Sequence, residues 1–236
     1  MNKDTAEKWL LWQDSSHDAF FNMAIDEIAL SHAAELDGRV LLRIYDWDTP
    51  SVSYGRSQTY PAELADSYTL VRRPTGGGVV YHDHDLTYTL VIPNGHPITA
   101  LDRMASYKVV HEAIADILHR QGMEAELKAD EQENVDRATM QCFVSPSRFD
   151  VMGPGGAKFA GAAQRRTREG ILHQGSLLFD EPGRLEKVRA ELPEALTAAF
   201  NAVSLLWEPP AKWIKEAEEL ALNKYSTREW LDAGRH

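Results

Sequence analysis

The stretch TLVRRPTGGGVVYHDHDLTYTLVI, residues 69–92, holds three runs with strand periodicity and no helical pattern between them. Residues 69–72 read as one strand. Residues 79–81 and 86–92 alternate at period two and are expected to pair as a hairpin across His82-Asp83-His84-Asp85. Upstream, 40–45 (VLLRIY) and 50–54 (PSVSY) are rich in β-branched and aromatic residues and read as two more strands joined by a turn. Residues 22–34 have apolar positions at helical spacing, and what precedes them reads as a tail. Downstream, Val109, Val110, Ala113, Ile114, Ile117 and Leu118 form one stripe of a helix over 105–120, stopped at Gly122. Residues 123–145 are polar and poorly patterned. Residues 149–152 and 157–160 are expected to form a hairpin turned at Gly153-Pro154-Gly155-Gly156, and 172–179 a further strand. From 184 the texture becomes helical, over 184–201, 209–222 and 226–233. Strands first, with few helices interleaved, argue for an α+β fold: a mixed central β-sheet flanked by helices. Without a Gly-, Pro- or Ser-rich linker, residues 1–236 are expected to form a single domain whose helical C-terminal segment, about 184–236, packs on the sheet.

Composition narrows the function. The 236 residues carry a net charge of −11, with 43% hydrophobic and 26% charged residues, an ordinary globular balance. No apolar run reaches membrane-spanning length and no signal-peptide pattern opens the chain, so a cytoplasmic protein without membrane contact is expected. An acidic chain is a poor ligand for phosphate backbones, so nucleic acid is not expected as a partner. The single cysteine forms no internal disulfide, and CxxC and HExxH are both absent, so no metal is expected. His82 and His84 stand two apart on the expected hairpin with no third ligand pattern nearby, and His82 is expected instead to support the glycine loop by hydrogen bonding.

Three segments are candidates for chemistry. In Arg72-Arg73-Pro74-Thr75-Gly76-Gly77-Gly78, consecutive glycines lose much conformational entropy on ordering. Such a loop serves either as a simple turn or as backbone that approaches a ligand and offers N–H groups to an anion or oxyanion. Cys142 stands in a polar stretch ahead of a strand, either as a small buried hydrophobe or as a thiol activated by a nearby cation. Lys158 follows a tight turn among small residues (KFAGAAQ, 158–164) that leave room for a ligand, although a strand lysine more often faces solvent. Arg165, Arg166 and Arg168 form a basic patch in an acidic chain, either a solvated turn or a docking surface for an acidic partner.

Taken together these segments resemble the lipoate ligase/octanoyltransferase family, which is related to biotin protein ligases. RRPTGGG…His82-Asp83 is similar to the family's RR-x-x-GGG-x-V-x-HD signature. Lys158-Phe-Ala-Gly-Ala-Ala-Gln164 is similar to K-[IV]-x-G-[SA]-A-[QY], and His173-Gln174-Gly175-Ser176 to its HG-[ST]-LL stretch with Gln174 inserted. The similarity runs over residues 9–180. It implies a core like that of class II aminoacyl-tRNA synthetases and biotin protein ligases. It also implies a catalytic Cys142/Lys158 pair, because Cys142-Phe-x-x-Pro-Ser resembles the cysteine loop of octanoyltransferases of the Gram-positive type, whose cysteine forms an acyl-thioester. Arg72, Gly76, Gly77, Gly78, Tyr81, His82, Gly161, Ala163, Gln164 and His173 are the implied substrate-binding residues, with Tyr81, Ala160 and Ala163 walling an acyl slot. Phe159 replaces the family's Ile or Val and is expected to reshape that slot.

The implied activity moves an octanoyl group from octanoyl-acyl carrier protein to a lysine of an apo lipoyl domain, in a glycine cleavage H protein or a dehydrogenase E2 subunit, with no cofactor required. The alternatives are an ATP-dependent lipoate-protein ligase, which would use ATP and Mg2+, an amidotransferase acting between lipoyl proteins, and a non-catalytic acyl-binding module. Residues after 180 leave room only for packing helices, which favours the transferase, since a ligase usually carries an accessory domain.

Overall fold

The computed structural model describes residues 6–129, 147–181 and 183–233; Cys142 lies outside the described residues. An eight-stranded mixed sheet forms the centre. In chain order its strands are β1 (Glu7–His17), β2 (Leu41–Trp47), β6 (Asp85–Pro93), β7 (Glu126–Leu127), β8 (Val151–Met152), β9 (Lys158–Arg166), β10 (Gly170–Leu178) and β11 (Ala202–Leu206). The spatial order is β11-β1-β2-β6-β10-β9-β8-β7. β11, β1 and β2 are mutually parallel, and every other pair is antiparallel. A second, three-stranded sheet has the order β4-β3-β5, from β3 (Ser51–Tyr54), β4 (Thr69–Arg72) and β5 (Val80–His82).

Period-two alternation sorts the strand residues onto two faces. Trp9 and Leu11 of β1, Leu42 and Ile44 of β2, and Leu86, Leu90 and Ile92 of β6 face a core covered by α2 (Arg103–Arg120) and α3 (Arg184–Ala199). Leu10, Trp12, Leu41, Val91 and Leu172 face the other core, covered by α1 (Ala19–Ser31) and α4 (Ala211–Leu220). On that second face the apolar floor gives way to buried Arg43, Thr87, Thr89, Gln174 and Ser176. Buried polar groups persist only where hydrogen bonds compensate their lost hydration. Here α1 supplies much of that compensation. Asp26 accepts from Arg43 at 2.8 Å, from Thr89 at 2.7 Å and from Gln174 at 2.8 Å. α1 begins at Ala19 because Asp18 accepts from the Phe20 and Phe21 N–H groups, a side-chain N-cap.

The α+β class, the mixed sheet and its flanking helices are as expected from the sequence; three elements are not. Residues 7–17, read as a tail, form an inner strand of the large sheet. Ala202–Leu206, in the gap between the helices expected over 184–201 and 209–222, adds a parallel edge strand beside it. The expected hairpin of 79–81 with 86–92 does not exist: β5 pairs with β3 in the small sheet and β6 with β2 and β10 in the large one. The chain turns between the sheets at Asp83 and His84, and His82 Nδ1 meets Asp85 Oδ2 at 2.8 Å across the corner. Strand periodicity was right, but it carries no information on which sheet a strand joins.

Candidate functional site

The corner between the two sheets forms a narrow, partly open recess with about 30 Å³ of free volume. The small sheet contributes Ser53, Val80 and His82, the large sheet Tyr45, Thr87, Gln174 and the segment Gly161–Ala163, and α1 contributes Met23. Gly77 and Arg73 form the side belonging to the glycine loop.

Two side chains hold that loop. Arg73 donates through Nη1 to Ser53 O and Oγ, both at 2.8 Å, and through Nη2 to the carbonyls of Gly76 at 2.9 Å and Gly78 at 2.7 Å. Gln174 accepts from Thr75 Oγ1 at 2.7 Å while donating to Asp26, which ties the loop to α1. Of the three glycines only Gly77 has a positive φ, +86°, a conformation costly for any side chain. His82 acts on the loop indirectly. Its Nε2 lies 2.6 Å from Ser53 Oγ, the hydroxyl that Arg73 also contacts. Asp85 Oδ2, besides holding His82 Nδ1, accepts from Ser176 at 2.6 Å and Thr87 at 3.0 Å. The Trp47 ring stacks on His82 at 3.9 Å.

Lys158 does not face solvent. Its side chain is 1% exposed and its Nζ lies 2.7 Å from Asp150 Oδ2, itself 2% exposed. Gly161, a wall residue of the cavity, makes this possible: a Cβ there would stand 2.5 Å from both Cε and Nζ of Lys158. Asp150 also accepts from the Ser147 N–H at 2.5 Å. The preceding residue, Phe149, holds a left-handed φ of +68°. Non-glycine residues in that region cost roughly 1–3 kcal/mol and persist where their surroundings over-determine them. Here the Phe149 N–H donates to Lys128 O at 2.8 Å and its carbonyl lies 2.5 Å from His111 Nδ1, so that nitrogen carries the proton and donates.

His111 and His173 form a buried pair behind the lysine. Burial holds His111 below the ordinary histidine range despite the opposing charge of Asp150. Burial, and then the proximity of His111, hold His173 well below it. Both are therefore neutral in the folded protein and titrate near 6.5 when unfolded. The folded state binds fewer protons, so this contribution to stability is complete above about pH 6.5 and is lost as pH falls through that value toward the folded pKa values. Each group removes at most about 1.4 kcal/mol per pH unit in the window. Urea midpoints measured from about pH 7.5 down to 5 should fall, and His173→Gln should flatten the fall; an unchanged slope in the variant would reject this assignment.

The structure distributes the expected site residues unevenly. Gly77, His82, Gly161 and Ala163 line the cavity, whereas Gly76 and Gln164 line a neighbouring cleft. Gly78 contributes its carbonyl to the Arg73 clamp. Arg72 is fully buried and directs its donors to the carbonyls of Arg56, Gln58, Trp230 and Leu231, so it anchors α5 (Arg228–Asp232). Tyr81 packs on Tyr68 within the small sheet, and Ala160 faces the α2 core. His173 points the same way, bonded to Tyr88 and Gln164, because strand parity aims Gln174 rather than His173 at the cavity. Phe159 packs against Phe179 and over Gly153, so it does not shape the cavity. Sequence reasoning missed Asp150, Ser53, Asp85 and Gln174. For Gln174 the parity of the 172–179 strand was an available signal. For Asp150 none was, because its pairing with Lys158 depends on the register of β8 against β9.

At the sheet junction a glycine loop pinned by Arg73 borders the recess and a buried lysine lies against its Gly161 wall, so these polar groups are fixed before any ligand arrives. Residues 18–200 match the model of the lipoyl protein ligase A/B catalytic domain, and the chain belongs to that family. It is 34% identical over 184 residues to octanoyltransferase LipM of Kyrpidia tusciae, covering 74% of this chain and 67% of the relative. It is 30% identical to octanoyltransferase LipM of Bacillus anthracis, covering 95% of this chain and 98% of that one. Among solved structures, a lipoate-protein ligase A bound with ATP superposes with a TM-score of 0.76 at 22% identity, over 96% of this chain and 99% of its own. The bipartite lipoate protein ligase of Thermoplasma acidophilum, from work that also covers its E2 lipoyl domain, gives 0.75 at 21% identity over 98% of each chain. These two likenesses define the fold. Among the described residues no helix is long and apolar enough to cross a membrane.

Proposed function

We propose that the chain moves an octanoyl group from octanoyl-acyl carrier protein, through an acyl-thioester on Cys142, to the ε-amine of a lysine on an apo lipoyl domain of a glycine cleavage H protein or a dehydrogenase E2 subunit. The enzyme class rests on kinship: within its family the chain is an octanoyltransferase acting in protein lipoylation, as the relatives at 30–34% identity are. The donor and the covalent route rest on the site. The observation that carries them is the buried Lys158–Asp150 pair laid against the Gly161 wall of the cavity.

In this mechanism the Lys158 ammonium favours the Cys142 thiolate by opposite charge. The thiolate attacks the thioester carbonyl, a new C–S bond to Cys142 forms, and the C–S bond to the carrier breaks as the carrier sulfur leaves and takes the proton that Cys142 gave up. Backbone N–H groups of Gly76–Gly78 are candidates to hold the oxyanion. The acceptor amine then attacks the acyl-cysteine. A C–N bond forms, the C–S bond breaks, and the proton released by nitrogen returns to sulfur. The route consumes no nucleotide. An octanoyl tail with seven carbons beyond the carbonyl gains about 0.8 kcal/mol for each group removed from water, which favours it over a short chain where the protein buries it.

Intact-protein mass after incubation with octanoyl-acyl carrier protein, without ATP, tests the route. One octanoyl adduct is expected on the wild-type chain and none on Cys142→Ala. A Cys142→Ala protein that transfers at the wild-type rate would exclude the thioester. AMP release on adding lipoate and MgATP, with no adduct from the carrier, would establish the ligase instead.

A further inference from the structure

In a chain of net charge −11, four arginines surround one cleft. Arg56, Arg103, Arg165 and Arg166 border a space of about 550 Å³ that Pro74, Thr75 and Gly76 also line. Arg165 has a carboxylate at 3.4 Å, Glu27, but that carboxylate also serves Lys224 and Tyr225. Among the described residues no carboxylate comes within ion-pair distance of Arg56, Arg103 or Arg166. Arg166 is held by neutral oxygens only: Leu101 O and Ser106 Oγ at 2.9 Å and Thr99 O at 3.4 Å. Its Nε is buried without any hydrogen-bond partner. Burial and the neighbouring Arg103 charge weaken its hold on its proton, with Asp102 offsetting part of this; Asp102 itself caps α2 through the Ala105 N–H. Three arginines without a carboxylate partner among the described residues, gathered with Arg165 in one recess and one of them with an unsatisfied buried donor, suit an anionic ligand.

Position indicates which anion. The cleft and the acyl cavity share a wall. Gly76 faces the cleft and Gly77 the cavity, and Gln164 and Ala163 divide in the same way. A thioester whose acyl chain enters the recess beside Gly77 carries its leaving arm out past this wall. When the donor is a carrier protein, the arm is phosphopantetheine, and its one charged group is a phosphodiester. Guanidinium forks match phosphate oxygens in geometry and charge. An acidic face of a folded protein suits a recess of this kind less well than a slender arm does.

We propose that the arginine cleft receives the phosphate of the donor's phosphopantetheine arm, an inference that rests on the transferase reading above. Arg56 and Arg103 are its principal contacts, since their side chains are exposed and unpaired among the described residues.

The test compares octanoyl-4′-phosphopantetheine with octanoyl-pantetheine, which lacks the phosphate, as donors to an apo lipoyl domain, using the full chain and its R56Q/R103Q variant. The wild type is expected to prefer the phosphorylated donor by about 10- to 100-fold in kcat/KM, chiefly through KM, as one or two charge-assisted hydrogen bonds would give. In the variant the preference should shrink to under about 3-fold. Equal preference in both proteins, or none in the wild type, overturns the proposal. Calorimetric titration with 4′-phosphopantetheine and with pantetheine gives a second reading that needs no turnover. If neither thioester reacts, the transferase reading fails, and phosphate-dependent binding lost in R56Q/R103Q still upholds the cleft. If the variant instead loses affinity for MgATP while both arms bind equally, the cleft serves a nucleotide and the proposal is rejected.

Discussion

Lys158→Met is expected to slow single-turnover octanoyl transfer by about three orders of magnitude, the middle of the range for a positioned acid–base group. The single variant leaves a second effect to be separated. Asp150 is 2% exposed and lies 2.7 Å from the ammonium. Removing the lysine strands a buried carboxylate, which costs about 3–5 kcal/mol, a large part of the stability of an ordinary domain. Loss of rate could then reflect loss of fold. The double variant Lys158→Met, Asp150→Leu separates the two, because replacing both members of a buried ion pair with apolar residues of similar volume is often neutral or stabilising. The double variant should recover most of the urea midpoint and none of the rate. Recovery of more than about a tenth of wild-type transfer would mean that the ammonium holds the fold and not the reaction, since a catalytic charge lost with its partner still leaves a deficit of 10²-fold or more.

That the lysine was visible in the sequence and its partner was not follows from what each depends on. Lys158 stands in a short run of small residues after a tight turn, all of it local. Asp150 reaches it across a two-residue strand with an irregular register, a tertiary fact. The same division runs through the fold. The helix over Arg103–Arg120 was legible because one stripe at helical spacing faces one core. β1 was not, because Trp9–Trp12 is buried on both faces of the sheet, so its apolar residues run together instead of alternating. β11 is legible only with knowledge of β1, the strand it pairs with nearly two hundred residues away. Among site residues, Arg72 and Arg73 are neighbours of identical type, and nothing in sequence ranks one above the other. Strand geometry sends Arg72 to the carbonyls at the end of α5 and Arg73 to the glycine loop.

This division makes Arg73→Met the informative substitution on the loop side. The guanidinium contacts oxygens of Ser53, Gly76 and Gly78, and a thioether can donate to none of them. The Gly78 and Ser53 carbonyls in these contacts are buried, so water does not replace the lost donors, whereas Ser53 Oγ keeps His82 Nε2 at 2.6 Å. An unsatisfied buried acceptor costs about 1–3 kcal/mol, and Arg73→Met should lower stability by about 4 kcal/mol, less at the Gly76 carbonyl where solvent reaches. Arg73→Lys keeps the charge but not the planar fork, and one ammonium cannot satisfy three carbonyls and a hydroxyl in that spread geometry. It should fold with a deficit of about 2 kcal/mol and lower kcat about 30-fold with little change in the Michaelis constant, because a loosened Gly76–Gly78 backbone misplaces N–H groups needed in the transition state more than in binding. A lysine variant with full kcat and only reduced stability would show that the clamp builds the cavity without aiming the backbone at the reacting carbonyl, and the oxyanion role would pass to other donors.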